Sequence, residues 1–367
     1  MNLTAVDLFC GCGGLSRGLK KGGFDVLAGI DSWKDAIKVY AANNRSRHHD
    51  GVVHDLSDEK GTVDLVSRYN PFLIAGGPPC QDFSSAGHRE EGDRADLTVK
   101  YARVVTTIRP TTFIMENVPR AQISAAFSTA VDLFRNSGYG LTTIVLNASH
   151  CGVPQLRKRL FLIGMLEEAD DFLLPDLIAG QSKSPMTIRQ YLRDEIDIEH
   201  YYRHPRTYQR RAIFTLDEPS PTIRGINRPV PATYRLHESD SARDLSGVRS
   251  LTLEERARIQ TFPRGYFDVD IPRGSKEQMI GNAVPVELAR FVAKRLHTYA
   301  LDRLSMKKHR AIRQDGLIDH VDEMIGMLKV SRSVRINIRD ELMATFSTPP
   351  ASNSGAGNFD SHLMAAE

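Results

Sequence analysis

The chain has 367 residues, 41% of them hydrophobic, and 48 Lys and Arg stand against 45 Asp and Glu. Such a chain can bury one large core and a smaller one, while a net charge of +3 falls short of a strongly basic nucleic-acid footprint. No run approaches the roughly 18 apolar residues of a membrane span, and Met1 leads straight into the strand-like "LTAVDLFC" without a basic region or cleavage site. A soluble, cytoplasmic protein is expected.

In chain order, short β-rich runs alternate with helical patterns. "TAVDLFC" precedes a helix from about Leu15, "FDVLAGID" a helix through "WKDAIKVYAANN", "PFLIAGG" a helix through "LTVKYARVVTTI", and then comes "TTFIMENV". This alternation predicts a doubly wound, Rossmann-like α/β sheet with a site at the carboxyl ends of its strands. "LTTIVLNAS" and "RLFLIGM" read as two further strands joined by the loop "HCGVPQLRK".

After about Glu167 the sequence turns irregular and rich in Pro and Arg. Helical periodicity returns only at "LTLEERARIQTF" and "PVELARFVAKRLHTYAL". The expected division is a catalytic, cofactor-binding domain over 1–166, a loop-rich module over 167–248 and helices returning to the catalytic domain over 249–304. A helical extension of unknown role follows over 305–346, where self-association could lie in an otherwise monomeric protein. The last stretch, 347–367, has the composition of a disordered tail. Between Arg203 and Arg249 there are nine arginines and no lysine against five acids, with Tyr208, Phe214 and Tyr234 interleaved.

The four cysteines, at 10, 12, 80 and 151, form no CxxC pair, which argues for a reducing compartment. Cys10 and Cys12 lack a second ligand pair, so no metal is expected. "DLFCGCGGLSRGL" puts Gly11, Gly13 and Gly14 between the first strand and the first helix, where the backbone can approach a ligand. Asp31, twenty residues after Gly11, stands where a ribose-binding acid would. Glycines, acid and strand pattern together favour a nucleoside-bearing cofactor over a mere tight turn.

Three polar constellations lie where strands should end. "GGPPCQDFS" offers the Cys80 thiol, "FIMENV" ends in Glu116 and Asn117, and "PQLRKR" supplies Arg157 and Arg159 on one side of an extended segment. Each alone reads first as something plainer: a core cysteine, a capping pair, a solvated basic edge. Together, beside a nucleoside site, they suggest covalent catalysis on an anionic substrate.

In these motifs the sequence resembles the DNA (cytosine-5)-methyltransferases of the bacterial modification type. "DLFCGCGG", "GGPPCQDFS", "ENV", "GVPQLRKR", "RSLTLEERARIQTFP" and "GNAVP" follow in the family's order over nearly 300 residues, and the resemblance stops at about residue 305. It implies that Cys80 adds to C6 of a flipped-out cytosine, that Glu116 protonates N3, and that C5 takes the methyl of S-adenosyl-L-methionine. Arg159 would contact O2, with Arg157 supporting the loop or a phosphate.

By the same resemblance Phe9, Gly11, Cys12, Gly13 and Gly14 line the cofactor, Asp31 binds the ribose, and Asp55 and Leu56 face the adenine. Pro79, Leu97, Asn282 and Val284 complete that pocket. Ser32 stands where an aromatic often follows the acid and Trp33 comes one place later, leaving open which side chain covers the adenine. Pro79, Gln81, Ser84 and Asn117 are expected beside the substrate. Thr222, Arg206, Arg210, Arg211, Arg224 and Arg228 are expected against double-stranded DNA, because Arg forks grip guanines and phosphates. The alternatives are a transfer-RNA cytosine methyltransferase, a non-catalytic DNA-binding relative and, from the strand and glycine pattern alone, a nicotinamide oxidoreductase.

Overall fold

The computed structural model describes residues 3–44, 50–79, 96–205, 207 and 210–327, with side chains as far as residue 307. Cys80, Gln81, Ser84 and Arg206 lie outside the described residues.

The catalytic sheet is built from β1 (Thr4–Leu8), β2 (Asp25–Asp31), β3 (Asp50–Val53), β4 (Leu73–Gly76), β5 (Thr112–Asn117) and β6 (Tyr139–Asn147). After the two-residue β7 (Gln155–Leu156), β8 (Lys158–Leu166) completes it. The order is β3-β2-β1-β4-β5-β8-β6, with the first five strands parallel and β8 antiparallel to both its neighbours. Every residue of β4 and β5 is buried, as expected of strands covered on both faces. The doubly wound sheet expected from the alternating pattern is therefore present.

Helices α1 (Gly14–Gly22), α2 (Lys34–Asn43), α3 (Glu59–Ser67), α4 (Asp96–Ile108) and α5 (Ala125–Asn136) connect the strands. Sequence periodicity had indicated α1, α2 and α4 but neither α3 nor α5. One core joins the sheet to α4 and α5 through Tyr101, Val105, Phe113 and Phe134. Gly14, Gly18 and Gly22 form a stripe at intervals of four along α1. A Cβ there would stand 2.3 Å from the Val284 carbonyl oxygen, 2.2 Å from the Ala289 methyl and 2.4 Å from that of Ala293. Only glycine lets this helix lie so close to its neighbour.

The region after Glu167 holds more regular structure than its composition indicated. It contains α6 (Leu174–Ala179), α7 (Ile188–Leu192), β9 (His200–Tyr202), β10 (Ile213–Thr215) and the short β11 (Ser220–Pro221). β12 (Arg249–Ser250) joins β9 and β10 in a three-stranded sheet, while β11 pairs with β7. α8 (Leu253–Ile259) begins with the Thr252–Glu255 capping box. α9 (Arg273–Asn282), a helix absent from the sequence reading, precedes α10 (Val286–Met327). The chain forms one compact unit as far as Tyr299 and a second from Ala300.

Candidate active site

Strand register places the functional residues in one row. Leu8 pairs with Ile30 and Gly76, and Gly76 pairs with Met115. The next residue of each strand is Phe9, Asp31, Gly77 or Glu116, so four loops open from the same edge. β1 and β4 flank the point where strand order reverses, the place where open α/β sheets bind ligands. β8 runs the opposite way and brings its start, Lys158 and Arg159, with Arg157 just before it, to that edge.

A cleft of about 530 Å³ lies there, within the size range of small-molecule sites. Phe9, Gly11, Cys12 and Gly14 line it from the first loop, Asp31, Asp55 and Leu56 from the second and third strands, and Pro79 and Leu97 from beyond the fourth. Asn282 and Val284 close it from the far side. Gly13 does not line it, and a Cβ there would meet the side chains of Tyr40 and Tyr266. Ser32 and Trp33 both stand on the wall, as do Gln278, Met279 and Gly281 of α9. Those last three escaped the sequence reading because the polar start of α9 shows no apolar stripe.

Asp31 organises the loop. Its Oδ2 accepts the Gly11 N–H and its Oδ1 the Trp33 N–H, both at 2.8 Å. Burial raises its carboxyl above the usual range while these N–H groups oppose the shift. Tyr266 donates to the Cys12 carbonyl at 2.7 Å and fixes the loop from behind.

Glu116 and Arg159 meet at the end of β5. Glu116 pairs with Phe161 across the sheet, so Arg159, two residues from Phe161, projects diagonally onto the same face. Its Nε stands 2.9 Å from Glu116 Oε1, with both side chains at least 85% covered. Burial raises the Glu116 carboxyl, and the charges of Arg159 and Arg157 hold it partly down. A carboxyl in that setting can carry a proton to a ring nitrogen. Gly77 makes room for it, because a Cβ there would lie 3.2 Å from Glu116 Oε2. Arg157 is 1% exposed and bridges the Ile223 carbonyl at 3.3 Å and the Asn282 carbonyl at 3.2 Å. Asn117 donates to the Pro78 carbonyl at 3.3 Å, tying the end of β5 to the turn that leads into Cys80.

The family model of the C-5 cytosine-specific DNA methylases matches residues 3–298. The chain belongs to that family. The methylase is 49% identical to the Type II methyltransferase M.HgiDI of Herpetosiphon aurantiacus, over 81% of this chain and 95% of the relative. It is 50% identical to M.HindV of Haemophilus influenzae, over 79% and 95%. Its fold matches the S. pombe Dnmt2 methyltransferase with a TM-score of 0.61 at 17% identity, covering 80% of this chain and 98% of that one. The Entamoeba histolytica methyltransferase EhMeth matches with a TM-score of 0.60 at 17% identity, covering 83% and 99%.

In the arginine-rich module of the methylase the partners divide the arginines. Arg211 pairs with Glu218 and stacks on Phe214, and Arg224 donates to the His204 carbonyl. Arg249 holds Glu255 at 2.6 Å and Asp197 at 3.2 Å. Arg210, Arg228, Arg235 and Arg243 are exposed and form no ion pair among the described residues. Thr222 donates to the Leu156 carbonyl at 2.7 Å, and Gln155 accepts the Ile223 N–H at 2.9 Å. Gln260 donates to the Ile280 and Ala283 carbonyls and accepts from Gln155 at 2.7 Å. This buried relay fastens the module to the wall of the cleft.

Proposed function

We propose that this methylase is a Type II modification enzyme that transfers the methyl of S-adenosyl-L-methionine to C5 of a cytosine flipped out of duplex DNA. The observation that carries the reading is the Glu116–Arg159 pair at the edge of a nucleoside-sized cleft, three strands from Asp31 and beside the turn ending at Pro79. Cys80 is the next residue of the chain. The relatives at about 50% identity bear the name Type II methyltransferase, which favours modification of DNA over the transfer-RNA reading.

The cleft suits S-adenosyl-L-methionine. Asp31 keeps lone pairs for ribose hydroxyls, and Phe9, Trp33 and Leu56 offer apolar surface for the adenine. Bound there, the cofactor supplies an electrophilic methyl group. Cytosine C5 is a poor nucleophile in the aromatic ring, so the Cys80 thiolate adds to C6 while Glu116 protonates N3. The base becomes an enamine whose C5 takes the methyl. Loss of the C5 proton and departure of Cys80 restore aromaticity. Arg159 orients the base at O2 and balances Glu116, while Arg157 holds the Ile223 and Asn282 segments around the cleft.

Reaching the base requires its extrusion from the duplex at a cost of a few kcal/mol. Residues 167–248 supply the DNA-gripping surface, with exposed Arg210 and Arg228 leading and Arg211 and Arg224 bracing the module. Cys80→Ser is expected to abolish methyl transfer while S-adenosylhomocysteine still binds in calorimetry. Wild-type enzyme should form a covalent adduct with 5-fluorocytosine in its site, identified by bisulfite sequencing of DNA from expressing cells. Failure to trap that adduct removes Cys80 as nucleophile; activity on transfer RNA alone removes DNA as substrate.

A further inference from the structure

We propose that a second, smaller cavity, separate from the cofactor cleft, is a socket for one backbone phosphodiester of the DNA. It rests on the reading of duplex DNA as substrate and adds where the duplex is held. The cavity has a volume of about 30 Å³ and is lined by Tyr202, Arg203, His204, Arg224, Ile226 and Arg256, among others. That is room for roughly two water molecules, hence for the two non-bridging oxygens of a phosphodiester.

Among the described residues three guanidiniums line this space and no carboxylate does. Arg203 donates to the Thr222 carbonyl at 2.8 Å, Arg224 to the His204 carbonyl and Arg256 to the Arg224 carbonyl. Carbonyls fix the orientation of a guanidinium without cancelling its charge. Arg256 is 3% exposed, and its buried Nη1 makes no hydrogen bond among the described residues, with Glu277 Oε1 3.8 Å away. A guanidinium nitrogen buried like this, with its carboxylate 3.8 Å away, is costly to keep charged, and an anion would relieve it. His204 senses this field: burial, then Arg228 and Arg224, hold its imidazole below the ordinary value.

The position suits a phosphate beside the flipped nucleotide. Gly225, next to Arg224, packs against Gln278 and Gly281, which line the cofactor cleft. Ile226, 71% exposed, gives the same opening an apolar edge for a deoxyribose.

Arg224→Gln and Arg203→Gln test the socket through duplex affinity measured against salt concentration. Each should weaken binding similarly for cognate and non-cognate duplexes and lower the log–log salt slope by about 1. Retained S-adenosylhomocysteine binding shows that the variants are folded. Unchanged slopes in folded variants overturn the proposal. A second arm needs no variant: the His204 pKa of wild-type enzyme is followed by NMR with inorganic phosphate or a short duplex. A rise with duplex supports the socket, and no rise with either ligand overturns it. A rise with phosphate from an enzyme that binds no duplex leaves an anion site but removes the DNA reading.

Discussion

Arg159 Nε stands 2.9 Å from Glu116 Oε1, and this pair joins two strands that run in opposite directions. Burial raises the Glu116 carboxyl, and Arg159 is the largest charge opposing the rise. Glu116→Gln keeps the shape but loses the acidic proton, so kcat should fall by about 10²–10⁴-fold with cofactor affinity little changed. Arg159→Ala removes the opposing charge, so the Glu116 pKa should climb further. Single-turnover rates should then be lower throughout, with the alkaline limb displaced to higher pH. A limb that stays in place would show that the two residues are not coupled in the reaction.

Asp31 holds two backbone N–H groups with its two oxygens, at 2.8 Å each. Asp31→Ala strands both donors, at about 1–3 kcal/mol for each left unsatisfied, and also removes the ribose acceptor. Cofactor affinity should fall by about 100-fold or more, since 1.4 kcal/mol corresponds to tenfold. Asp31→Asn retains one acceptor oxygen and should fall between alanine and wild type. Calorimetry with S-adenosylhomocysteine and urea unfolding of the three proteins give the ranking. Equal affinities for the two variants would mean that the carboxylate acts through its charge alone.

The row of Phe9, Asp31, Gly77 and Glu116 was legible in the sequence because each follows a β-rich run, and parallel strands bring such ends to one edge. Arg157 was less legible. Alternation put it on the same side as Arg159, yet it lies buried across carbonyls of Ile223 and Asn282, 66 and 125 positions away. The arginines of the 203–249 module could not be sorted locally either. Arg249 is claimed by Asp197, 52 residues earlier, and only folding reveals which guanidiniums remain exposed. α9 was missed because its buried residues, Met279 to Gly281, cluster at its end instead of recurring along one face.

Asp7 carries a prediction about pH. It is fully buried in β1, where Ser16 Oγ donates to its Oδ2 at 2.6 Å and stands 3.0 Å from the Tyr40 hydroxyl. Its Oδ1 makes no hydrogen bond among the described residues. Burial pushes the carboxyl up to about 7 from 3.8, Ser16 opposes the rise, and the charges of Asp31 and Glu116 add to it. Between those two values the folded protein keeps a proton that the unfolded chain has released. Stability from this residue is therefore full below about pH 4, falls as pH rises through about 7, and is level beyond. Asp7→Asn has no proton to lose, so the wild-type melting temperature should drop by several degrees relative to the variant between pH 5 and pH 8. Parallel melting curves across that range would show that Asp7 is ionised in the folded state throughout.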